Sequence, residues 1–315
     1  MRIAILDDYQ NSALIFADWA KVRARASLHV FTEAFADENE IADSLKDFEV
    51  LCLMRERTPF PRSTLARLPN LRHVVLTGRR SQSLDLDFLS ERGIGIDFTD
   101  TGPAIHATPE LAIGLLFAVA RNITVGDRMM KSGAWLAGAP LGVVLHGKTL
   151  GIVGLGKVGT RVAEVASVLG MRVVAWSPHL TPERAKSANV EFREKSDLLR
   201  QADFVSLHLV LGPTTERIIA ANELATMKRS AFLINSARGG LVDQPALADA
   251  LNGEVIAGAG IDVYDPEPLP QHHPLRKCKN IVLLPHFGYA TKEIYDVFYQ
   301  QTAAAVLAYL ERTQA

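Results

Sequence analysis

Short runs of consecutive apolar residues alternate along the chain with stretches whose apolar positions recur every three to four residues. The runs at 2–6, 50–54, 73–77 and 94–98 read as strands of one parallel α/β unit. Those at 149–153, 172–176, 204–208, 231–236, 255–262 and 281–284 read as strands of a second. Few of them alternate apolar with polar residues, which suits strands buried on both faces of a helix-covered sheet. Thr108 reads as an N-cap and Pro109 as the first-turn residue of an apolar helix from Glu110 to Arg121. Asp243 caps a helix that runs to Leu251 and stops before Gly253. Four prolines within 264–274 mark a surface loop, and 292–312 reads as a final apolar-striped helix.

At 315 residues two domains are the natural expectation, and 48% hydrophobic against 22% charged residues is an ordinary globular balance. The net charge of −1 gives no general attraction to nucleic acid or to an anionic membrane, so neither is expected as a partner. Cys52 and Cys278 lack metal-ligand or redox spacing; they read as free thiols of a reducing compartment, and no metal site is expected. Two acids follow the first apolar residues and the longest apolar run, 111–120, is half a membrane span. A cytoplasmic protein is the expectation.

The most informative motif is Gly154-Leu155-Gly156-Lys157-Val158-Gly159, which follows a buried strand and opens a helix, with another strand beyond. That context is what dinucleotide binding requires. Gly154 permits the tight turn, Gly156 lets the backbone approach a pyrophosphate, and Gly159 lets the helix pack on the strand. The anion then rests on the helix N-terminus, against free N–H groups. An NAD-preferring site usually carries an acid near position 177, to bond the ribose diol and repel a 2′-phosphate. Here the residue is Ser177. NAD is the leading reading and NADP stays open.

Three further segments deliver polar side chains at predicted strand ends: 234–243 with Arg238, 258–268 with Asp262 and Glu267, and 284–288 with His286. In open α/β sheets these ends line the ligand crevice. Together with the glycine motif, in order and spacing over nearly the whole chain, they resemble the D-isomer-specific 2-hydroxyacid dehydrogenase family. The resemblance implies two flavodoxin-like or Rossmann-like doubly wound parallel-sheet domains, with a cofactor domain (104–286) inserted into a substrate domain (1–103 and 287–315). It implies hydride transfer between a nicotinamide cofactor and a small 2-hydroxy or 2-keto acid such as glyoxylate or hydroxypyruvate. Arg238 matches the residue that binds the substrate carboxylate and keto oxygen, His286 the acid–base group, and Glu267 its carboxylate partner. Asp262 matches the acid that holds the nicotinamide carboxamide, and Thr108 a contact at the same end. Leu209, Thr215, Ala237 and Gly288 complete the cofactor contacts that the resemblance implies. It also implies a homodimer joined through 121–145, with Trp135 serving both the dimer contact and the substrate pocket.

The chain departs from the family pattern at 77–83. Gly78 is followed by Arg79 and Arg80 where small residues are common, which suits either a larger, more anionic substrate or a solvated turn. Arg55 and Arg57, after the strand 50–54, read as reaching the same place. Val210 and Leu211 stand where the family often has a proline. A phosphoglycerate dehydrogenase-type enzyme is the nearest alternative. Glu267 argues against a formate dehydrogenase, and the intact Arg238, Glu267 and His286 argue against a non-catalytic NAD-sensing regulator on this fold.

Overall fold

The computed structural model describes residues 1–79 and 81–314. The chain forms two compact units, Met1–Ala104 with Ala290–Ala315, and Ile105–Tyr289. It leaves the first at Ala104 and returns at Ala290.

The first unit holds a five-stranded parallel sheet: β1 (Arg2–Ile5), β2 (Ser27–Val30), β3 (Val50–Leu53), β4 (His73–Leu76) and β5 (Gly95–Phe98), in the order β2-β1-β3-β4-β5. The order reverses between β1 and β3, and at such a switch point the strand ends leave a crevice. β3 and β4 lie inside the sheet and are buried at every position, which explains why all their residues but His73 are apolar. β2 is an edge strand that alternates exposed and half-buried residues. Its Ser27-Leu28-His29-Val30 is too polar to register as an apolar run.

The second unit holds seven parallel strands: β6 (Thr149–Val153), β7 (Arg172–Trp176), β8 (Glu191–Phe192), β9 (Phe204–Leu207), β10 (Phe232–Asn235), β11 (Gly258–Ile261) and β12 (Ile281–Leu283). Their order is β12-β11-β10-β9-β6-β7-β8. Side chains alternate between the faces. Ile152, Phe204, Ile234 and Val282 meet the helices Ala104–Ala120 and Lys157–Val168 on one side. Val153, Val205, Leu207 and Leu233 meet the helices Lys195–Gln201, Ala221–Thr226 and Gln244–Asn252 on the other. Each fully buried leucine in these layers, such as Leu115 or Leu247, contributes about 1.5–3 kcal/mol.

Three expectations change. The helix expected from Glu110 begins at Ala104, directly after Pro103, so Thr108 and Pro109 lie in its second turn. Thr108 is therefore no cap; its hydroxyl donates to the Gly288 carbonyl at 3.0 Å. Pro109 removes one intrahelical N–H bond near the helix start, and its buried ring packs inward. The strand expected over 255–262 is only Gly258–Ile261, because the Val255 N–H closes the preceding helix on the Ala250 carbonyl at 2.8 Å. β8 has two residues, too few for a hydrophobic pattern. Asp243 does cap its helix, accepting from the Ala246 N–H at 3.0 Å. Cys52 and Cys278 are buried and unpaired. Among the described residues no single helix is long and apolar enough to cross a membrane.

Candidate active site

The glycine-rich turn follows β6. Gly154 has φ +108°, and a Cβ there would lie 2.6 Å from the His208 carbonyl carbon at the end of β9. A Cβ on Gly159 would meet the Gly154 carbonyl oxygen at 2.1 Å, so the helix Lys157–Val168 rests directly on the turn. A Cβ on Gly156 would meet nothing within 4 Å. The backbone is thus open where an anion would approach, and Gly156 supplies no side-chain cap to the helix. These residues fit a dinucleotide pyrophosphate. Leu155 donates its N–H to Ser177 Oγ at 2.9 Å, which ties the turn to the end of β7. Lys157 is exposed and Val158 half-buried beside it. After β9, Thr215 Oγ1 accepts from the Gly212 N–H at 2.9 Å and donates to the Val210 carbonyl at 2.7 Å. Thr215 therefore braces the loop that Leu209 anchors in the core.

The segments that follow β10, β11 and β12 carry Arg238, Asp262 with Glu267, and His286. Asp262 is 0% exposed and receives the Phe287 N–H on Oδ1 at 2.7 Å and the Gly288 N–H on Oδ2 at 2.9 Å. Its backbone carbonyl takes the His286 N–H at 2.8 Å. The acid thus shapes a turn in which His286 adopts φ +57°, a left-handed conformation that is strained for histidine. Burial pushes the Asp262 carboxyl up to about 6, against the opposing pull of the Phe287 N–H. His286 Nδ1 lies 2.7 Å from Glu267 Oε2, while Glu267 Oε1 accepts the Tyr264 N–H at 2.8 Å. Glu267 is therefore held at both oxygens. Both side chains remain 29% exposed, so the far imidazole nitrogen can meet a small molecule.

Arg238 follows β10 in a turn folded by Asn235, whose Nδ2 donates to the Arg238 carbonyl and whose Oδ1 accepts the Ala237 N–H. Its guanidinium Nη1 donates to the Ala237 carbonyl at 2.8 Å. A Cβ on Gly239 would lie 2.0 Å from the Tyr264 carbonyl carbon. Only glycine lets the Arg238 turn and the loop bearing Glu267 approach so closely.

The substrate residues expected in the first unit lie around the Gly78 turn and β1. The Arg55 guanidinium lies over Gly78, with Nη1 only 1.9 Å from where a Gly78 Cβ would stand. Arg55 itself has φ +56°, and Gly78 φ +83°. The Gly78 N–H is already donated to Thr99 Oγ1 at 2.9 Å. Arg79 is exposed and paired with Asp100 at 2.8 Å. Arg80 lies outside the described residues. Arg57 turns toward β1, donating to the Asp7 carbonyl and the Tyr295 hydroxyl. Trp135, in the second unit, is 76% exposed, as are Leu136 at 75% and Leu141 at 95%. His208 and Ser236 directly follow β9 and β10, each with a buried polar atom that lacks a hydrogen-bond partner. Both are strand-end polar residues in a row with Gly154 and Asp262, and only the sheet register reveals that row.

A sequence profile described as the NAD binding domain of D-isomer specific 2-hydroxyacid dehydrogenases matches residues 113–288. The chain is 34% identical over 272 residues to a D-3-phosphoglycerate dehydrogenase of Methanocaldococcus jannaschii, covering 86% of this chain and 50% of that one. It spans about half the length of the phosphoglycerate dehydrogenases it matches. It is 39% identical over 236 residues to a glyoxylate reductase of Aeropyrum pernix, covering 73% and 70% of the two chains. A crystal structure described as a phosphoglycerate oxidoreductase from Vibrio cholerae superposes with TM-score 0.90 at 33% identity, over 99% of both chains. The profile match over 113–288 and the 39% identity to the glyoxylate reductase show that the chain belongs to the D-isomer specific 2-hydroxyacid dehydrogenase family.

Proposed function

We propose that the chain is a nicotinamide-dependent dehydrogenase that interconverts a small 2-keto acid and its D-2-hydroxy acid. The observation that carries this reading is the His286–Glu267 pair, fixed by the Asp262 turn in the same unit as the glycine-rich turn. A nicotinamide cofactor, when bound, supplies the hydride or accepts it. Gly154, Gly156 and the first turn of the helix Lys157–Val168 would hold its pyrophosphate, and Thr108, Asp262 and Gly288 would form its nicotinamide end.

In reduction, His286 carries a proton on the nitrogen remote from Glu267 and gives it to the substrate oxygen as the carbonyl carbon is reduced. In oxidation it takes the hydroxyl proton back. Glu267, engaged at Nδ1, fixes the ring orientation. Arg238 offers an always-charged planar fork to the carboxylate and the developing oxyanion. NAD is the favoured cofactor; Ser177, already engaged by the Leu155 N–H, carries no charge against a 2′-phosphate. The exposed apolar residues Trp135, Leu136 and Leu141 support a homodimer contact through 121–145.

A phosphorylated hydroxy acid is the second reading, favoured by the phosphoglycerate dehydrogenase relatives and by Arg55 over the Gly78 loop. The test is to mix the purified protein with NADH or NADPH and a panel of keto acids, 3-phosphohydroxypyruvate included, and follow absorbance at the reduced-cofactor band. Turnover of glyoxylate or hydroxypyruvate supports the first reading, and exclusive turnover of the phosphorylated acid supports the second. No turnover with any pair contradicts both.

A further inference from the structure

Three segments carry the groups that the proposed reaction uses: the Arg238 turn after β10, the Glu267 loop after β11 and the His286 segment after β12. One residue, Tyr264, touches all three. Its N–H is donated to Glu267 Oε1 at 2.8 Å. Its carbonyl carbon lies 2.0 Å from where a Gly239 Cβ would stand, so its backbone abuts the Arg238 turn. Its hydroxyl donates to the Leu284 carbonyl at 2.8 Å, just ahead of Pro285 and His286. The same hydroxyl lies 3.1 Å from the carbonyl of Ile261, the residue before Asp262.

The first two contacts belong to the backbone, whereas the third needs a phenol. β12 is three residues long and stands at the edge of its sheet, so the ladder holds it from the β11 side alone. Leu284 still gives its N–H to the Ile261 carbonyl at 2.8 Å, but Pro285 has no N–H to give. His286 then adopts φ +57°, a conformation that persists only where the surroundings over-determine it. The Tyr264 hydroxyl adds a constraint there, joining the ends of β11 and β12 directly before Asp262 and His286 diverge. Its ring is buried in the core cluster that includes Leu269, Leu275 and Cys278, which gives the hydroxyl a fixed mount. Burial, with Asp262 and Glu267 nearby, pushes the Tyr264 phenol up, so it remains a protonated donor at neutral pH.

We propose that the Tyr264 hydroxyl is a clasp that sets the distance and angle between Glu267 and His286, which makes Tyr264 a positioning residue for the proton transfer. The inference rests on the dehydrogenase reading above, and it gives Tyr264 no contact with substrate or cofactor.

Tyr264→Phe keeps the ring and its packing and removes only the clasp. With the keto acid and reduced cofactor that the wild-type protein uses, kcat falls about fivefold to tenfold, while KM for the keto acid and Kd for the cofactor stay within about twofold. In a Glu267→Gln background the same change costs less than about twofold, because the alignment it serves is already broken. A second readout needs no turnover. The low-field proton resonance of His286 Nδ1, identified by its loss in Glu267→Gln, is weakened or lost in Tyr264→Phe. A Tyr264→Phe protein that melts lower yet keeps wild-type kcat and the resonance has lost only a strut of the fold, and that result overturns the proposal. Equal losses of rate in the two backgrounds overturn it as well. A wild-type protein that turns over no keto acid refutes the dehydrogenase reading instead, and the resonance then decides the clasp by itself.

Discussion

Asp262→Asn separates what the buried acid does for stability from what it does for the site. The wild-type carboxylate receives two N–H groups on separate oxygens. An asparagine has one oxygen, so its NH2 faces either the Phe287 or the Gly288 N–H and one buried donor is orphaned, at about 1–3 kcal/mol. Opposing this, the native state holds the Asp262 carboxyl at about 6 against an ordinary 3.8, so folding favours the protonated acid. That preference corresponds to about 3 kcal/mol. Its stabilisation is fully present below pH 3.8 and is lost as pH rises through about 6. About 2 kcal/mol of it disappears between pH 4.5 and pH 8. Asparagine does not titrate. Urea unfolding should find the variant clearly less stable than wild type at pH 4.5, with the gap closing by about 2 kcal/mol at pH 8. At pH 8 keto-acid turnover should still fall about tenfold to a hundredfold, because the turn that orients His286 is loosened. A stability gap constant across that pH range, or full turnover in the variant, would refute the reasoning.

Three further perturbations probe other parts of the site. Glu267→Gln keeps an acceptor for the Tyr264 N–H but removes the charge facing His286 Nδ1. Stopped-flow reduction should slow about tenfold to a hundredfold with cofactor Kd within twofold, and an unchanged rate would remove Glu267 from the mechanism. Gly156→Val places its side chain in open space, so the melting temperature should hold while dinucleotide affinity falls at least about tenfold by calorimetry. Retained affinity would mean that the pyrophosphate lies elsewhere. Trp135→Glu puts a charge on the exposed apolar segment, and light scattering should show monomer where wild type is dimer. A wild-type monomer, or a variant that stays dimeric, would move the interface away from 121–145.

The parts legible in the sequence are those where local pattern and tertiary role coincide. β3, β4, β6 and β9 are buried at every position, and apart from His73, Thr149, Gly151 and Ser206 their residues are apolar. The Gly154, Gly156 and Gly159 spacing is a local backbone requirement, and Asp243 is a local cap. Edge strands were hidden because solvent tolerates polar residues on them, as in Ser27–Val30. Thr108 and Pro109 misled because their order mimics a helix start, whereas Thr108 is recruited by Gly288, 180 residues away. Glu267 and His286 were named through family resemblance, but the double anchoring of Glu267 and the Asp262 turn arise from contacts that no local pattern encodes. The orphaned atoms of His208 and Ser236 were hidden for a related reason. Nothing in a neutral strand-end residue signals an orphaned atom until strand register aligns it with its neighbours.

The most direct test follows the transferred hydrogen itself. Wild-type protein and His286→Ala are each incubated with glyoxylate or hydroxypyruvate and reduced cofactor deuterated at the transferring position, and the product is read by mass spectrometry. Wild type should place one deuterium on C2 of the hydroxy acid. His286→Ala should still bind cofactor yet form that product at least about a thousandfold more slowly, consistent with losing both the proton donor and the substrate contact. Product without deuterium at C2, or His286→Ala turning over as fast as wild type, would contradict hydride transfer assisted by His286.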